Sequence, residues 1–142
     1  MVPSEGPRLN PEPSTVALSR RRIYLALLVS WVVLTFLFTS LPNPGILLPF
    51  RYADMVAHFG FYGVMGFLCA LWRREAGTPV RRAVLEALLF VAATGAVDEV
   101  HQNWIPGRSA ELSDWTADVL GGGIGAWCSV LLPALFPFLI TE

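Results

Sequence analysis

The residue types that can perform chemistry are concentrated in one polar segment of an otherwise apolar chain. Residues 98 to 118 read DEVHQNWIPGRSAELSDWTAD, between two long apolar runs. The segment contains a histidine, an arginine, a glutamine and several carboxylates. Imidazoles and carboxylates transfer protons, and a guanidinium binds carboxylate or phosphate through paired hydrogen bonds. Ionisable groups this close to hydrocarbon are costly and usually mark function, so the segment predicts a functional site.

Polar side chains recur at helical spacing on three predicted helices. Side chains three or four residues apart share one face of a helix, so each helix presents a polar stripe near one end. Small residues behind each stripe let helices approach closely. The stripes are Asp54, His58 and Tyr62 on the second helix; Gly95, Asp98, Glu99 and Gln102 on the third; and Asp114, Asp118, Gly121 or Gly122, and Gly125 on the fourth.

These stripes predict a single site if the helices form a bundle. We expect Glu99 or Asp118 to act as general base and His58 to donate a proton. Arg108 would hold a phosphate or carboxylate group. The candidate catalytic residues are Asp54, His58, Glu99, Gln102, Arg108, Asp114 and Asp118, and the candidate substrate-binding residues are Arg108, Tyr62, Asp98 and His101.

A structural role is the competing interpretation for each of these residues. Asp54 and Asp114 are placed to cap helix N-termini. Arg108 would then only neutralise nearby acids. Interhelical hydrogen bonds would explain His58 and Asp118, and a solvated helix end would explain Glu99 and Gln102. His58, His101 and several carboxylates could supply metal ligands, but no spacing matches a zinc motif, so no metal and no cofactor is predicted and metal binding stays an open alternative.

Composition places the chain among membrane proteins. Of its 142 residues 54% are hydrophobic and 15% are charged, against about 25% charged in soluble domains. Mean hydropathy is +0.55. The net charge of -1 indicates no nucleic-acid partner. Two cysteines, Cys69 and Cys128, lie in apolar runs and are expected to be free thiols.

The hydropathy pattern predicts an all-α bundle of four transmembrane helices. The proline-rich residues 1–22 form a disordered cytoplasmic tail, and residues 23–140 form the membrane domain. The first apolar run is long enough to cross, at about 20 residues per crossing. The long polar lead-in before it and the lack of a small-residue cleavage site favour a retained helix over a cleaved signal peptide. Prolines in 42–50 exclude a regular helix there. The four spans are expected at about 23–41, 54–72, 83–102 and 114–140.

The distribution of arginine predicts the topology. Eight of the ten arginines precede the first span or lie between the second and third, and only Arg51 and Arg108 fall on the other side. Positive residues favour the cytoplasmic side, so both termini should be cytoplasmic. The acids at 54 and in 98–118 would then lie at the outer face.

Three pieces of this sequence resemble the VanZ-like family of small bacterial membrane proteins. They are Asp54-x-x-x-His58-x-x-x-Tyr62, then Asp98-Glu99-Val100-His101-Gln102 with Ile105-Pro106-Gly107-Arg108, and Asp114-x-x-x-Asp118 before Gly121, Gly122 and Gly125. The resemblance covers about residues 23–140. The family often has Lys after the first Asp, where Met55 stands here.

The resemblance implies a multi-pass protein of the bacterial plasma membrane, linked to resistance to the glycopeptide teicoplanin. It implies no agreed activity, so whether the chain is an enzyme stays open. The leading hypothesis is a pocket that acts on or binds an anionic envelope lipid or lipid-linked precursor. The alternatives are a binding, shielding or partner-protein module and, ranked last, an ion-conducting bundle. A homo-oligomer through Gly60, Gly63 and Gly66 is also open.

Overall fold

Four helices make up the part of the chain that the structure describes, a computed structural model covering residues 15–42 and 52–136, with the side chains of 15–18 and 132–135 outside the description. No strand occurs in these ranges, which confirms the all-α prediction. The helices are α1 (Thr15–Thr39), α2 (Ala53–Glu75), α3 (Val80–Gln102) and α4 (Leu112–Leu135).

Helix α1 begins eight residues before the predicted first span, at Thr15. Residues 15–22 are therefore helical, and the prediction of disorder for them is wrong. The reason is local: Pro13 is the last helix breaker, and the arginines at 20–22 are good helix formers. Residues 1–14 and the predicted loop residues 43–50 lie outside the described residues.

Two glycine turns reverse the chain where the sequence predicts breaks. Gly77 adopts φ 78° between α2 and α3, and Gly107 adopts φ 81° between α3 and α4. Glycine takes this left-handed conformation without a Cβ clash. In the second turn the N–H of Arg108 donates to the Ile105 carbonyl, and this turn brings Arg108 back over the end of α3.

Close packing of α2 on α4 forms the most extensive helix contact of the fold. Gly66 on α2 lies against the backbone of Gly122, and Gly125 on α4 lies against the backbone of Gly63. A Cβ at Gly66 or Gly125 would overlap the facing backbone. Gly63 and Gly66, which the sequence suggested as a dimer face, therefore pack against α4 of the same chain. Gly60, the third glycine of that face, is exposed.

The outer surface of α1 is apolar. Leu27, Val29, Val33 and Leu37 are each about half exposed or more. Two helical segments, Ser19–Thr39 and Ala53–Glu75, are long and apolar enough to cross a membrane. Helix α3 is not one of these segments, because every 18-residue stretch of it carries at least three charged residues. The described residues are consistent with a membrane protein.

Charge is segregated between the two ends of the bundle. Glu86 on α3 accepts hydrogen bonds from Arg73 on α2 and from Arg82, the latter at 2.8 Å and one turn earlier on the same helix. Arg74 donates to the Ser129 carbonyl. The opposite end holds the acids at 54, 98, 99, 114 and 118. The helices therefore separate an arginine-rich end from an acid-rich end.

Substitution of Gly125 tests the α2–α4 contact. We expect Gly125→Ala to lower the free energy of unfolding by about 1–3 kcal/mol, because overpacking forces the helices apart. Gly60→Ala is the matched control and should stay within about 1 kcal/mol of the wild type, because nothing lies within 4 Å of its Cβ position. Circular dichroism during SDS-induced unfolding in mixed micelles measures both. Equal stability of the two variants would contradict this packing.

Candidate functional site

A histidine–aspartate pair lies at the centre of the acid-rich end. His58 Nδ1 is 2.9 Å from Asp118 Oδ1, across the α2–α4 contact. His58 is 3% exposed and Asp118 is fully buried. Gly95 on α3 leaves room for this carboxylate, because a Cβ there would lie 2.6 Å from Asp118 Oδ2. The pair is thus enclosed by three helices.

The hydrogen bonds around His58 determine which ring nitrogen carries the proton. Arg108 Nε can only donate, and it lies 3.1 Å from Gln102 Oε1. That contact orients the amide so that Gln102 Nε2 donates to His58 Nε2, at 3.3 Å. His58 Nε2 must then be an acceptor, and Nδ1 carries the proton and donates it to Asp118. The network therefore selects the neutral Nδ1–H tautomer.

Arg108 connects this network to the open end of the site. Its Nη2 donates to Asp54 Oδ2 at 2.8 Å. The Arg108 side chain is 3% exposed, whereas the Asp54 side chain is 38% exposed. Asp54 does not cap α2, since the residue before the helix makes no side-chain capping bond and Asp54 itself is occupied by Arg108. Among the described residues, the buried Arg108 Nη1 has no acceptor.

Asp98 is the acceptor for three donors from three helices. Thr39 Oγ1 donates to Oδ1 at 2.6 Å, and Tyr62 Oη and Gln102 Nε2 lie 3.2 and 3.5 Å from Oδ2. Asp98 and Tyr62 are fully buried. Thr39 is a site residue that the pattern of acids does not reveal. Its signal was a second threonine one turn earlier, since Thr35 and Thr39 form a buried polar stripe on an apolar helix.

Glu99 and Asp114 have unused acceptor capacity. Glu99 Oε2 accepts from the Glu111 N–H at 2.6 Å, while Oε1 lies 4.0 Å from His58 Nδ1 and is buried without a partner in the described structure. Asp114 is 5% exposed. Its carboxylate has no hydrogen bond or ion pair within residues 15–42 and 52–136. Both groups could accept from a ligand.

His101 lies apart from the other predicted residues. Its ring packs against Phe36, at 6.1 Å between centroids, and against Trp104, at 6.4 Å. One residue along a helix turns the side chain by about 100°, so His101 points away from the face that carries Gln102. His101 therefore does not join the site as the sequence analysis expected, and the remaining candidates converge.

Two cavities open beside the network. One has a volume of about 390 Å³ and is lined by acids and small polar groups, including Asp54, Glu111 and Asp114. The other has about 410 Å³ and is mainly apolar, with Leu112 and Trp115 beside Glu99. A cavity lined by three acids and a mainly apolar cavity thus lie at the same end of the bundle, and Glu111 lines both.

Two sets of three side chains have the composition of a metal site. One set is Asp54, His58 and Asp114, and the other is His58, Glu99 and Asp118. In each set one ligand atom per residue lies within 4.8 Å of the other two. The spacing along the sequence matches no motif, because the ligands come from separate helices.

Comparison with known proteins identifies a family. A family model described as VanZ/LLP1 matches residues 23–133, a range that contains every side chain of the site. No curated protein and no solved structure gives a significant match to the chain.

Asp98→Asn tests the buried network. An amide keeps one acceptor oxygen but turns its NH2 group either toward Thr39 or toward Tyr62 and Gln102, so at least one donor meets another donor. We therefore expect the free energy of unfolding to fall by about 1–3 kcal/mol. Glu111→Gln, an exposed acid at the same end, should change it by no more than about 0.5 kcal/mol. Chemical unfolding in detergent, followed by tryptophan fluorescence, measures the difference. An Asp98→Asn protein as stable as the control would refute the network.

Proposed function

The chain belongs to the VanZ/LLP1 family, and we propose that it is a multi-pass protein of the bacterial plasma membrane whose four helices all cross the bilayer. The apolar surface of α1 supports contact with lipid. The arginine-rich end is placed in the cytoplasm by the preference of positive residues for that side. The acid-rich site then opens to the outer leaflet, with both termini cytoplasmic.

The site binds, and in the leading version acts on, an anionic envelope lipid or lipid-linked cell-wall precursor. The observation that carries this proposal is the pairing of a polar network with an apolar cavity at the same end of the bundle. An amphipathic molecule has this division, with a charged head and a hydrocarbon chain. The apolar cavity between α3 and α4 would hold the chain beside Trp115.

Arg108 supplies the anion contact in this proposal. Its Nη1 is buried and has no acceptor in the described structure, so a phosphate oxygen would meet an unsatisfied donor. Unsatisfied buried donors cost about 1–3 kcal/mol, which favours a ligand that removes the deficit. The cavity beside Asp54, the exposed partner of Arg108, would be the approach for the head group.

Glu99 is the general base in the enzymatic version. It lines the apolar cavity, and its Oε1 has no hydrogen-bond partner among the described residues. A free carboxylate oxygen next to a bound head group is positioned to take a proton from a hydroxyl or water. Asp118 and Gln102 act as positioning residues, because they contact His58 rather than the cavity.

The hydrogen bonds already made by the central side chains of the network favour a second candidate, a non-enzymatic binding or shielding module. His58, Gln102 and Asp98 are all occupied by bonds within the chain. A site whose polar groups are held this firmly suits recognition of a head group without chemistry. The same pocket would then shield an envelope precursor from teicoplanin, the antibiotic that the family resemblance suggests.

Lipid retention tests the binding step. We expect native mass spectrometry of the purified protein to show an anionic envelope lipid enriched over the membrane extract. Arg108→Gln should reduce retention about 10-fold or more, because charge-assisted bonds contribute about 1.5–3 kcal/mol. Arg81→Gln, an exposed arginine at the other end, is the matched control. No enrichment, or equal loss in both variants, would contradict the proposal.

Glu99→Gln separates the two versions. Teicoplanin sensitivity of a susceptible host is measured with the wild type and with single substitutions of Glu99, Gln102, Arg108 and Asp118. Loss of protection in Glu99→Gln with lipid retention intact supports the enzyme. Protection retained in Glu99→Gln but lost in Arg108→Gln supports the binding module. Full protection from all four variants would end both.

A further inference from the structure

We propose that the acid-lined cavity binds one divalent metal cation through Asp54 Oδ1, His58 Nε2 and the Asp114 carboxylate. One ligand atom from each of the three residues lies within 4.8 Å of the other two, and His58 Nε2 lies 3.9 Å from Asp54 Oδ1. This site departs from the sequence analysis, which predicted no metal. Its ligands come from the first two turns of α2 and the first turn of α4, and only the α2–α4 contact brings them together.

Charge balance is the first argument for a cation. Asp54, Asp114 and Glu111 line one cavity, and Asp98, Glu99 and Asp118 are buried behind it. Arg108 is the one cationic side chain that contacts this cluster within the described ranges. Buried charges in proteins are paired or coordinate metals. One guanidinium cannot balance the negative charge of these carboxylates, and a divalent cation would reduce the repulsion among them.

The free carboxylate of Asp114 is the second and independent argument. It is 5% exposed, and it points into the cluster without a hydrogen bond or ion pair in the part of the chain that the structure describes. Asp54 is bound by Arg108 through Oδ2 alone, which leaves Oδ1 3.9 Å from His58 Nε2. Two acceptor oxygens therefore converge on the lone-pair side of the ring.

The tautomer of His58 decides between the two candidate sets of ligands. Its proton is on Nδ1 and is donated to Asp118, so only Nε2 can coordinate an ion. A metal-bound histidine typically donates its other N–H to a carboxylate, the role that Asp118 already has. A cation between Glu99 and Asp118 would displace that proton and require Gln102 to turn, which would break its bond from Arg108.

The ligand set indicates the class of ion. One imidazole and two carboxylates suit a divalent transition-metal ion such as Mn²⁺ or Zn²⁺. Cation binding releases the weak bond of 3.3 Å from Gln102 to Nε2, while the amide keeps its bonds to Asp98 and Arg108. The adjoining cavity gives the ion free positions for water or for a phosphate oxygen. If a phosphate oxygen of a head group filled one of these positions, the ion would bridge the protein to the lipid. This bridging role rests on the proposed function, whereas cation binding does not.

Mn²⁺ titration of the purified full-length protein in detergent, after treatment with a chelator, tests the site. Electron paramagnetic resonance of free Mn²⁺ gives the affinity, and pulsed measurements detect a coupled imidazole nitrogen. We expect one Mn²⁺ per chain with histidine coupling in the wild type. Asp114→Asn and Asp118→Asn should each weaken binding about 10-fold or more, the first by losing a ligand and the second by releasing the ring. Glu86→Gln, an acid at the arginine-rich end, is the matched control.

Different results would overturn the cation site itself and its bridging role. Loss of binding in Glu99→Gln with Asp114→Asn unaffected would place the ion on the other side of the ring and overturn the proposal. Wild-type protein without saturable Mn²⁺ binding, or without nitrogen coupling, would overturn it even if a variant fails to fold. Saturable binding with no effect on lipid retention would support the cation site and contradict only its bridging role.

Discussion

The hydrogen bond from His58 to Asp118 is the contact on which the rest of the site depends. It joins α2 to α4 at a place where both residues are almost completely buried. Two features make the bond feasible: the glycine packing of α2 on α4, and the missing side chain of Gly95 beside the carboxylate. Because His58 Nδ1–H donates to Asp118, His58 Nε2 must accept from the Gln102 amide. The Gln102 oxygen then accepts from Arg108, which also donates to Asp54.

This constraint links the fold to function. A hydrocarbon environment favours satisfied polar groups, and the protein satisfies them by collecting acids, an imidazole and a guanidinium at one end of the bundle. The acceptors left over, on Glu99 and Asp114, face two cavities of different polarity. A ligand that binds a buried acceptor without a partner gains binding free energy, because it removes the cost of leaving that acceptor unsatisfied. The proposed cation coordination would use the acidic part of this surplus, whereas the proposed head-group binding would use the unpartnered Nη1 donor of Arg108.

Helical spacing alone predicted most of the site. The stripes at 54 and 58, at 98, 99 and 102, and at 114 and 118 converge because each is one face of a regular helix. Adjacency along the sequence misled the prediction for His101, which lies one residue from Gln102 but on another face. Thr39 could not be found from the acidic pattern, since a threonine in an apolar run has many roles. The pairing of α2 with α4, and hence the metal-site geometry, needs three-dimensional packing.

The protonation of His58 is the most direct test of this account. The chain has two histidines, so ¹⁵N-histidine NMR of the detergent-purified protein can be assigned with a His101→Gln variant. The network predicts a neutral ring with the proton on Nδ1 and an unprotonated Nε2 whose signal shifts when Zn²⁺ is added. A ring protonated on Nε2, or a signal from His58 that averages between both tautomers, would contradict the central claim.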